Sequence, residues 1–391
     1  ARRNSATGEW LPAAGNLVVR CDSSTALNPG DRAVVRGKIY PFTARHGGYG
    51  RLMTRRGYVG TLYLNRSSLL LRDTLHRELP PKHLSLFLHE RAVARLDRLS
   101  LAPDEQALCN AMTAGDRRSL SPALRAAYSR SGTSHLLAVS GLHVGIVFLL
   151  ANLLLWWLPL FRHGHILRNI AVILLIWLYA ATTGFPPSVV RAALMFSVLQ
   201  FALASSSEYV GMNTLAGVAF VMLLFHPDYL FDISFQLSFI AVAGIIAWGL
   251  PLCRLLRTRR KSIDMLTATL AIGFSASAAT APLISHTFGQ ISVVGLALNP
   301  VVILLSYVVV GSCTLWLVIP GTALAPLFSV VAGFAARAQN ELIRAAAALP
   351  AAALDIRLTT TQCWSVYGLF IFATLLLWSA ERKKSVSSLP E

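Results

Sequence analysis

Charge is what this sequence has least of. Only 14% of its 391 residues are Asp, Glu, Lys or Arg while 54% are hydrophobic, and a soluble domain would carry roughly 25% charged residues. That excludes an ordinary water-soluble domain and makes lipid the solvent for most of the chain. Acidic residues are scarcer still, 18 against 35 Lys and Arg, for a formal net charge of +17. A bias of that sign suits an anionic partner, either a lipid surface or a nucleic acid. The five cysteines, Cys21, Cys109, Cys253, Cys313 and Cys363, contain no C-x-x-C spacing, which argues against a zinc site or a redox motif. Cys21 and Cys109 remain a possible pair if both face an oxidising compartment. His163-x-His165 is all that the histidines offer in metal-ligand spacing, too little for a two-metal hydrolase. There is no G-x-x-x-x-G-K-[ST] loop either, so any transport is driven by a separate motor or gradient. The residues therefore point to a protein that is not an enzyme and needs no metal or cofactor.

The charge that is present is uneven. Residues 1–135 hold 21 Lys and Arg against 10 Asp and Glu, and residues 136–391 hold 14 against 8. A basic polar front thus precedes an apolar back. The chain starts at Ala1 with no signal-peptide pattern, so its natural N-terminus is expected to lie upstream. In the front, Leu17 to Arg20, Arg32 to Tyr40 and Tyr58 to Leu64 read as strands, separated by Pro29-Gly30, Gly47-Gly48 and Gly57. From about residue 72 the pattern turns helical. Leu84, Phe87, Leu88, Val93, Leu96 and Leu99 are apolar, and Lys82, His83, Arg91, Arg95 and Arg98 are basic. Such a helix either lies on acidic headgroups or offers Arg91, Arg95 and Arg98 to nucleic-acid phosphates.

Windows near the 20 residues that cross a bilayer core fall at about 136–160, 166–184, 186–206, 210–226, 229–251, 263–285, 291–319, 322–348 and 362–380. The fold class expected is therefore mostly α: a polytopic helical membrane protein of about nine spans with a small N-terminal β domain. Alternate loops contain Arg162, Arg168, Arg254, Arg257, Arg259, Arg260, Lys261, Arg382, Lys383 and Lys384, while the opposite loops contain Arg357. The positive-inside rule then places the C-terminus in the cytoplasm and, with an odd number of spans, the front domain outside.

Four ordered blocks carry a resemblance. They are GDRRSLSPALRAAYSRSGTSHLLAVSGLHVGIV from Gly115, GFPPSVVRAALMF from Gly184, HPDYLFDISFQLSFIAVAGI from His226, and the pair APLISHTFGQ and LNPVVI ending near Ile303. Together they resemble the competence domain of the ComEC/Rec2 family over roughly residues 90–320. LNPGDRAVVRGKIYP in the front is similar to that family's OB-like domain. The resemblance implies four parts: 1–71, a partial OB-like extracytoplasmic domain; 72–134, an amphipathic helical linker; 135–380, a transmembrane channel domain; and 381–391, a cytoplasmic tail. It also implies passage of single-stranded DNA across a bacterial inner membrane in natural transformation, with membrane lipid, a separate DNA receptor and a motor or helicase as partners. The family's soluble metallo-β-lactamase-like domain has no counterpart among these residues.

Polar and small residues inside apolar spans are the candidate pore set. His135, Ser140, Gly141 and His143 sit where the front meets the first span, with Gly145 completing a small-xxx-small spacing. They read either as a close helix contact or as a discontinuous helix lining a pore. A hydrolase built on Ser140 and His143 lacks a G-x-S-x-G elbow. Arg191 follows Pro186-Pro187 and costs roughly 2.5–3.5 kcal/mol at a span centre unless it meets a partner, water or the interface. Asp232 and Gln236, expected one turn apart, are its possible partners. Asn299 and Pro300 mark an expected interruption of the seventh span, either a half-helix at the pore or a packing kink. The rival functions are transport of a smaller anionic solute and intramembrane hydrolysis.

Overall fold

The computed structural model describes residues 2–3, 10–11, 15–22, 27, 32–42, 50, 53–54, 57–73, 81–205, 211–258, 260–292, 294–319, 324–349 and 352–387. It divides into two units, residues 1–87 with 226–232, and residues 88–225 with 233–391.

In the first unit, β1 (Arg2–Arg3) pairs antiparallel with β2 (Trp10–Leu11). Five further strands follow: β3 (Asn16–Cys21), β4 (Arg32–Val35), β5 (Ile39–Pro41), β6 (Tyr58–Leu64) and β7 (Leu69–Asp73). β6 lies between β3, to which it is parallel, and β5, to which it is antiparallel, while β4 pairs antiparallel with β7. Period-2 alternation makes β6 the two-faced strand, with Leu62 and Leu64 buried and Tyr63 exposed between them. Gly60 is required there, because a Cβ would lie 2.5 Å from the Tyr40 carbonyl oxygen.

The structure corrects the sequence expectation twice here. The run from Arg32 to Tyr40 is two strands in different sheets, parted at Gly37, where a Cβ would meet Leu62 Cδ1 at 2.6 Å. Where helix was expected from about residue 72, Leu69–Asp73 extends as β7, and the next element described is the helix Pro81–Leu96. Three consecutive leucines show no alternation, so periodicity could not reveal that strand.

Helix α1 spans Pro81–Leu96 and continues into a 3₁₀ turn, Asp97–Leu99. Its later turns belong to the second unit and are anchored by protein. Val93, Leu96 and Leu99 are buried in a large core cluster. Trp316 Nε1 donates to the Arg95 carbonyl at 3.1 Å, and Ser329 Oγ donates to the Leu99 carbonyl at 2.9 Å. Of the basic residues expected on this helix, Arg91 and Arg98 are exposed and Arg95 is half-buried.

Next come α2 (Pro103–Thr113) and α3 (Pro122–Arg130), each opening on a proline whose missing N–H costs nothing at the first helical position. Ser121 caps α3, its Oγ accepting from Leu124 N at 3.2 Å. After α4 (Gly141–Leu154), α5 (Gly164–Thr182), α6 (Pro187–Ser205) and α7 (Gly211–Phe225), α8 (Ile233–Gly244) passes through a π turn, Ile245–Gly249, into α9 (Leu250–Leu255). The chain ends with α10 (Lys261–Phe288), α11 (Val294–Val318), a short β8 (Ile291–Ser292) paired with β9 (Ala353–Leu354), α12 (Ala325–Ala347) and α13 (Thr360–Ser387).

Five stretches among the described residues are long and apolar enough to cross a membrane: Gly141–Leu160, Gly164–Thr182, Ile233–Leu255, Ile263–Phe288 and Leu298–Val318. Pro187–Ala202 and Gly211–Phe225 are shorter apolar helices. Exposed leucines and phenylalanines on these helices, such as Leu153, Leu174, Phe220 and Leu304, suit a lipid solvent. α12 is different in kind. Its Ala332, Ala335, Ala336, Gln339, Asn340 and Ile343 are buried, and its polar residues find protein partners. Tyr128 Oη donates to Asn340 Oδ1 at 3.0 Å, Asn340 Nδ2 donates to the Asp104 carbonyl at 3.2 Å, and Arg344 pairs with Asp104 and Glu341. The mostly α, membrane-protein class is thus what the described residues show, with five spans meeting the length and composition test.

Candidate functional site

The centre of the second unit is a short stretch of irregular backbone before α4. A 3₁₀ turn over Ser134–Leu137 ends at Ala138 in extended conformation, and Ser140, also extended, is the N-cap of α4. The first apolar window, expected to start near 136, therefore becomes helical only at Gly141. Ser140 N donates to His143 Nδ1 at 2.9 Å, so the imidazole closes the first turn in the way Glu or Gln does in a capping box. With Nδ1 accepting, the neutral ring carries its proton on Nε2. That atom is buried and has no hydrogen-bond partner among the described residues.

The next block meets this turn directly. Gly184 and Phe185 adopt left-handed conformations, turning the chain from α5 into α6. Ser188 Oγ, in the first turn of α6, donates to the Val139 carbonyl at 2.9 Å. One turn later, Arg191 brings its guanidinium to the start of α4: a Cβ placed on Gly141 would lie 3.0 Å from Arg191 Nη2. Arg191 is only 6% exposed. Its Nε has no partner among the described residues, its Nη1 reaches only Met195 Sδ at 3.9 Å, and its Cζ sits 5.8 Å from the centroid of Phe239 on α8. The third block therefore touches the second through an aromatic face.

The segment between the two stretches of the fourth block meets the first block. Gly132, at φ +74°, is the close approach, since a Cβ there would lie 2.4 Å from Ser292 Cβ, and Gly295 packs against the Ser131 carbonyl. Ser292 Oγ donates to the Ala352 carbonyl at 3.0 Å and accepts from Gly295 N at 3.1 Å.

Within the second unit, then, Ser140, Gly141, His143 and Arg191 adjoin one another, and Arg191 reaches α8, which carries Gln236 half-buried in its first turn. Asp232 is not on that helix. It is an extended C-cap residue of the 3₁₀ turn Pro227–Phe231, so Asp232 and Gln236 do not share the helical face expected of them. α11 continues through Pro300, which disagrees with a helix broken in two there, and Asn299 Oδ1 is buried and without a partner among the described residues. His135, on the 3₁₀ turn, is exposed. Cys109 and Cys313 are buried in one core cluster, and all five cysteines are free.

Outside the spans, Asp116 holds the loop entering the first block. Burial would raise its pKa, but a bidentate interaction with Arg118 and the Arg118 backbone N–H at 3.0 Å outweigh it, so the carboxyl lies below its usual range. Sequence reasoning missed the contact of α8 with α10. A Cβ on Gly244 would meet Ala279 Cβ at 2.5 Å and the Ser275 carbonyl at 3.0 Å, just before the π turn. The run of Ser, Ala and Thr from Ser275 to Ala281 was its signal.

Packed apolar helices around a buried polar turn define a helical membrane protein with an internal cationic group. The chain belongs to the competence-protein family: a family model described as "Competence protein" matches residues 112–383. It is 33% identical over 223 residues to ComE operon protein 3 of Bacillus subtilis (strain 168), covering 56% of this chain and 27% of that protein. It is 29% identical over 201 residues to an uncharacterised protein of Aquifex aeolicus (strain VF5), covering 51% of this chain and 45% of that one. The chain thus spans less than half the length of these curated relatives. No solved structure matches it.

Proposed function

We propose that the second unit forms a channel through which single-stranded DNA crosses the bacterial inner membrane during natural transformation. Buried Arg191 beside the start of α4, whose Nε has no hydrogen-bond partner among the described residues, carries this reading, because a desolvated cation in an apolar bundle is retained where it meets an anion in passage. The family assignment points the same way. The partners are single-stranded DNA and membrane lipid, with a separate receptor and a separate motor supplying recognition and force. The chain itself is not an enzyme in this reading. Ser140 Oγ lies 3.3 Å from His143 Nδ1, but the Ser140 amide already occupies that nitrogen, which favours a cap over a nucleophile and base. Full-length protein in proteoliposomes, with an inward-negative interior excluded by ionophore, is expected to admit a fluorescent single-stranded oligonucleotide. Passage of a small organic anion without the oligonucleotide would favour the anion-transporter reading instead.

The topology proposed is nine spans, the five long apolar helices being joined by α6, α7, α12 and α13. The Lys and Arg asymmetry between alternate loops puts the C-terminus in the cytoplasm and the first unit outside. Single cysteines placed at Arg257 and at Val19 in a cysteine-free background are expected to react on opposite sides of the membrane in intact cells. Labelling of both by an impermeant maleimide would overturn the odd span count.

A further inference from the structure

The turn at Ser140 to His143 contains a physical conflict. A helix of 14 residues presents partial positive charge at its first turn, where the capping box of Ser140 and His143 takes the His143 N–H and leaves those of Gly141 and Leu142 outside it. Cations are disfavoured there, yet Arg191 Nη2 lies within 3.0 Å of the Cβ position of Gly141, the first residue of that helix. Arg191 is 94% removed from solvent by its 6% exposure, so water does not screen the repulsion. No carboxylate among the described residues forms an ion pair with it. Two donors at this turn, Arg191 Nε and His143 Nε2, are buried without acceptors, and a buried donor left unmade costs roughly 1–3 kcal/mol.

These features have one sign: Arg191 Nε and His143 Nε2 are donors without acceptors among the described residues, and the guanidinium stands beside the positive end of a helix. A single oxyanion seated between the Arg191 guanidinium and the α4 N-terminus reverses each of them. The geometry points to a phosphate-binding site formed by the Gly141 and Leu142 amides of α4 and the guanidinium of Arg191, with His143 Nε2 as a further donor. Glycine at 141 is part of the site, since any side chain would occupy the space beside Nη2. An Arg presents a planar fork to phosphate, and a helix N-terminus presents converging amides, so the two recognise the group from different sides.

The inference deepens the channel reading and rests on it for its substrate: the phosphate is one phosphodiester of the strand, held singly and therefore released readily. The same chemistry is found in an anionic lipid headgroup, and the test separates the two sources. Full-length protein in neutral detergent is titrated with inorganic phosphate at constant ionic strength, and thermal stability is followed. A saturable rise in melting temperature is expected with phosphate but not with chloride. It should be lost in Arg191→Gln and retained in weaker form in Arg191→Lys, with circular dichroism reporting that each variant is folded. A phosphodiester oligonucleotide should compete for the site, and a neutral methylphosphonate oligonucleotide of the same sequence should not.

A wild-type protein that gives no phosphate response overturns the site, as does a response that survives in Arg191→Gln. Competition by phosphatidylglycerol micelles but not by the oligonucleotide overturns the strand as the source. If phosphate binds as described while the proteoliposomes admit no oligonucleotide, the site stands and the channel reading fails. If oligonucleotide passage is unchanged in Arg191→Gln, the channel stands and the site as a station on its path fails.

Discussion

Gly141→Leu is expected to lower DNA uptake by about 10- to 100-fold while the protein still inserts in the membrane, a factor that corresponds to roughly 1–3 kcal/mol of overpacking. A Cβ at this position would already stand 3.0 Å from Arg191 Nη2 and 3.5 Å from Ala192 Cβ. Leucine adds three more carbons in the same direction, so the guanidinium must leave the α4 N-terminus or the two helices must part. Either movement removes the buried charge from the turn. Transformation frequency in a host whose own copy is deleted is the measurement, with membrane-fraction abundance as the check on insertion. Gly217→Leu on α7 is the comparison, because a Cβ there meets nothing within 4 Å. Uptake should be unchanged in that variant. Equal loss in both would mean that the effect comes from bulk in the membrane and not from the turn.

Much of this site was legible in the sequence because polar and small residues are conspicuous against apolar spans. Arg191, His143 and Asn299 each stand out in that way, and all three prove to be buried with an unpartnered side-chain atom among the described residues. What the sequence does not contain is how such residues are disposed in space. Asp232 and Gln236 are four apart, which on one helix would place them on one face, but a 3₁₀ turn ends at Phe231 and the helix starts at Ile233. Asn299-Pro300 looks like a break, yet α11 continues through it. Both are matters of local backbone conformation, which hydropathy does not register.

Hydropathy also does not register that one face of an apolar helix can be buried against protein. The window 322–348 reads as a span with three charges in it. In the structure its alanine-rich face packs on α2 and α3, and Gln339 and Asn340 hydrogen-bond within that contact. The front was less legible, because its strands are short and one of them, Leu69–Asp73, lacks alternation altogether. β6 was found at its bounds since Tyr58 to Leu64 alternates and glycine punctuates its start.

Tyr128→Ala is expected to be the most destabilising single change in the second unit. The side chain is fully buried and lies in the cluster that joins α1, α2, α3, α11 and α12. Truncating a large aromatic in a core costs about 3–5 kcal/mol, through lost transfer energy and the cavity left behind. Here the hydroxyl adds a second contribution. It donates to Asn340 Oδ1 at 3.0 Å and accepts from Gln339 Nε2 at 3.3 Å, and both amides are almost completely buried. Removing the hydroxyl strands them, at roughly 1–3 kcal/mol for each unsatisfied group. Tyr128→Phe separates the contributions, because it keeps the ring and deletes only the hydrogen bonds. In detergent, the apparent melting temperature should fall by a large step for Tyr128→Ala and by a smaller one for Tyr128→Phe. Since membrane proteins commonly unfold irreversibly, both should be compared at one scan rate. A melting temperature for Tyr128→Ala equal to that of the wild type would mean that α3 and α12 do not hold the second unit together through this contact.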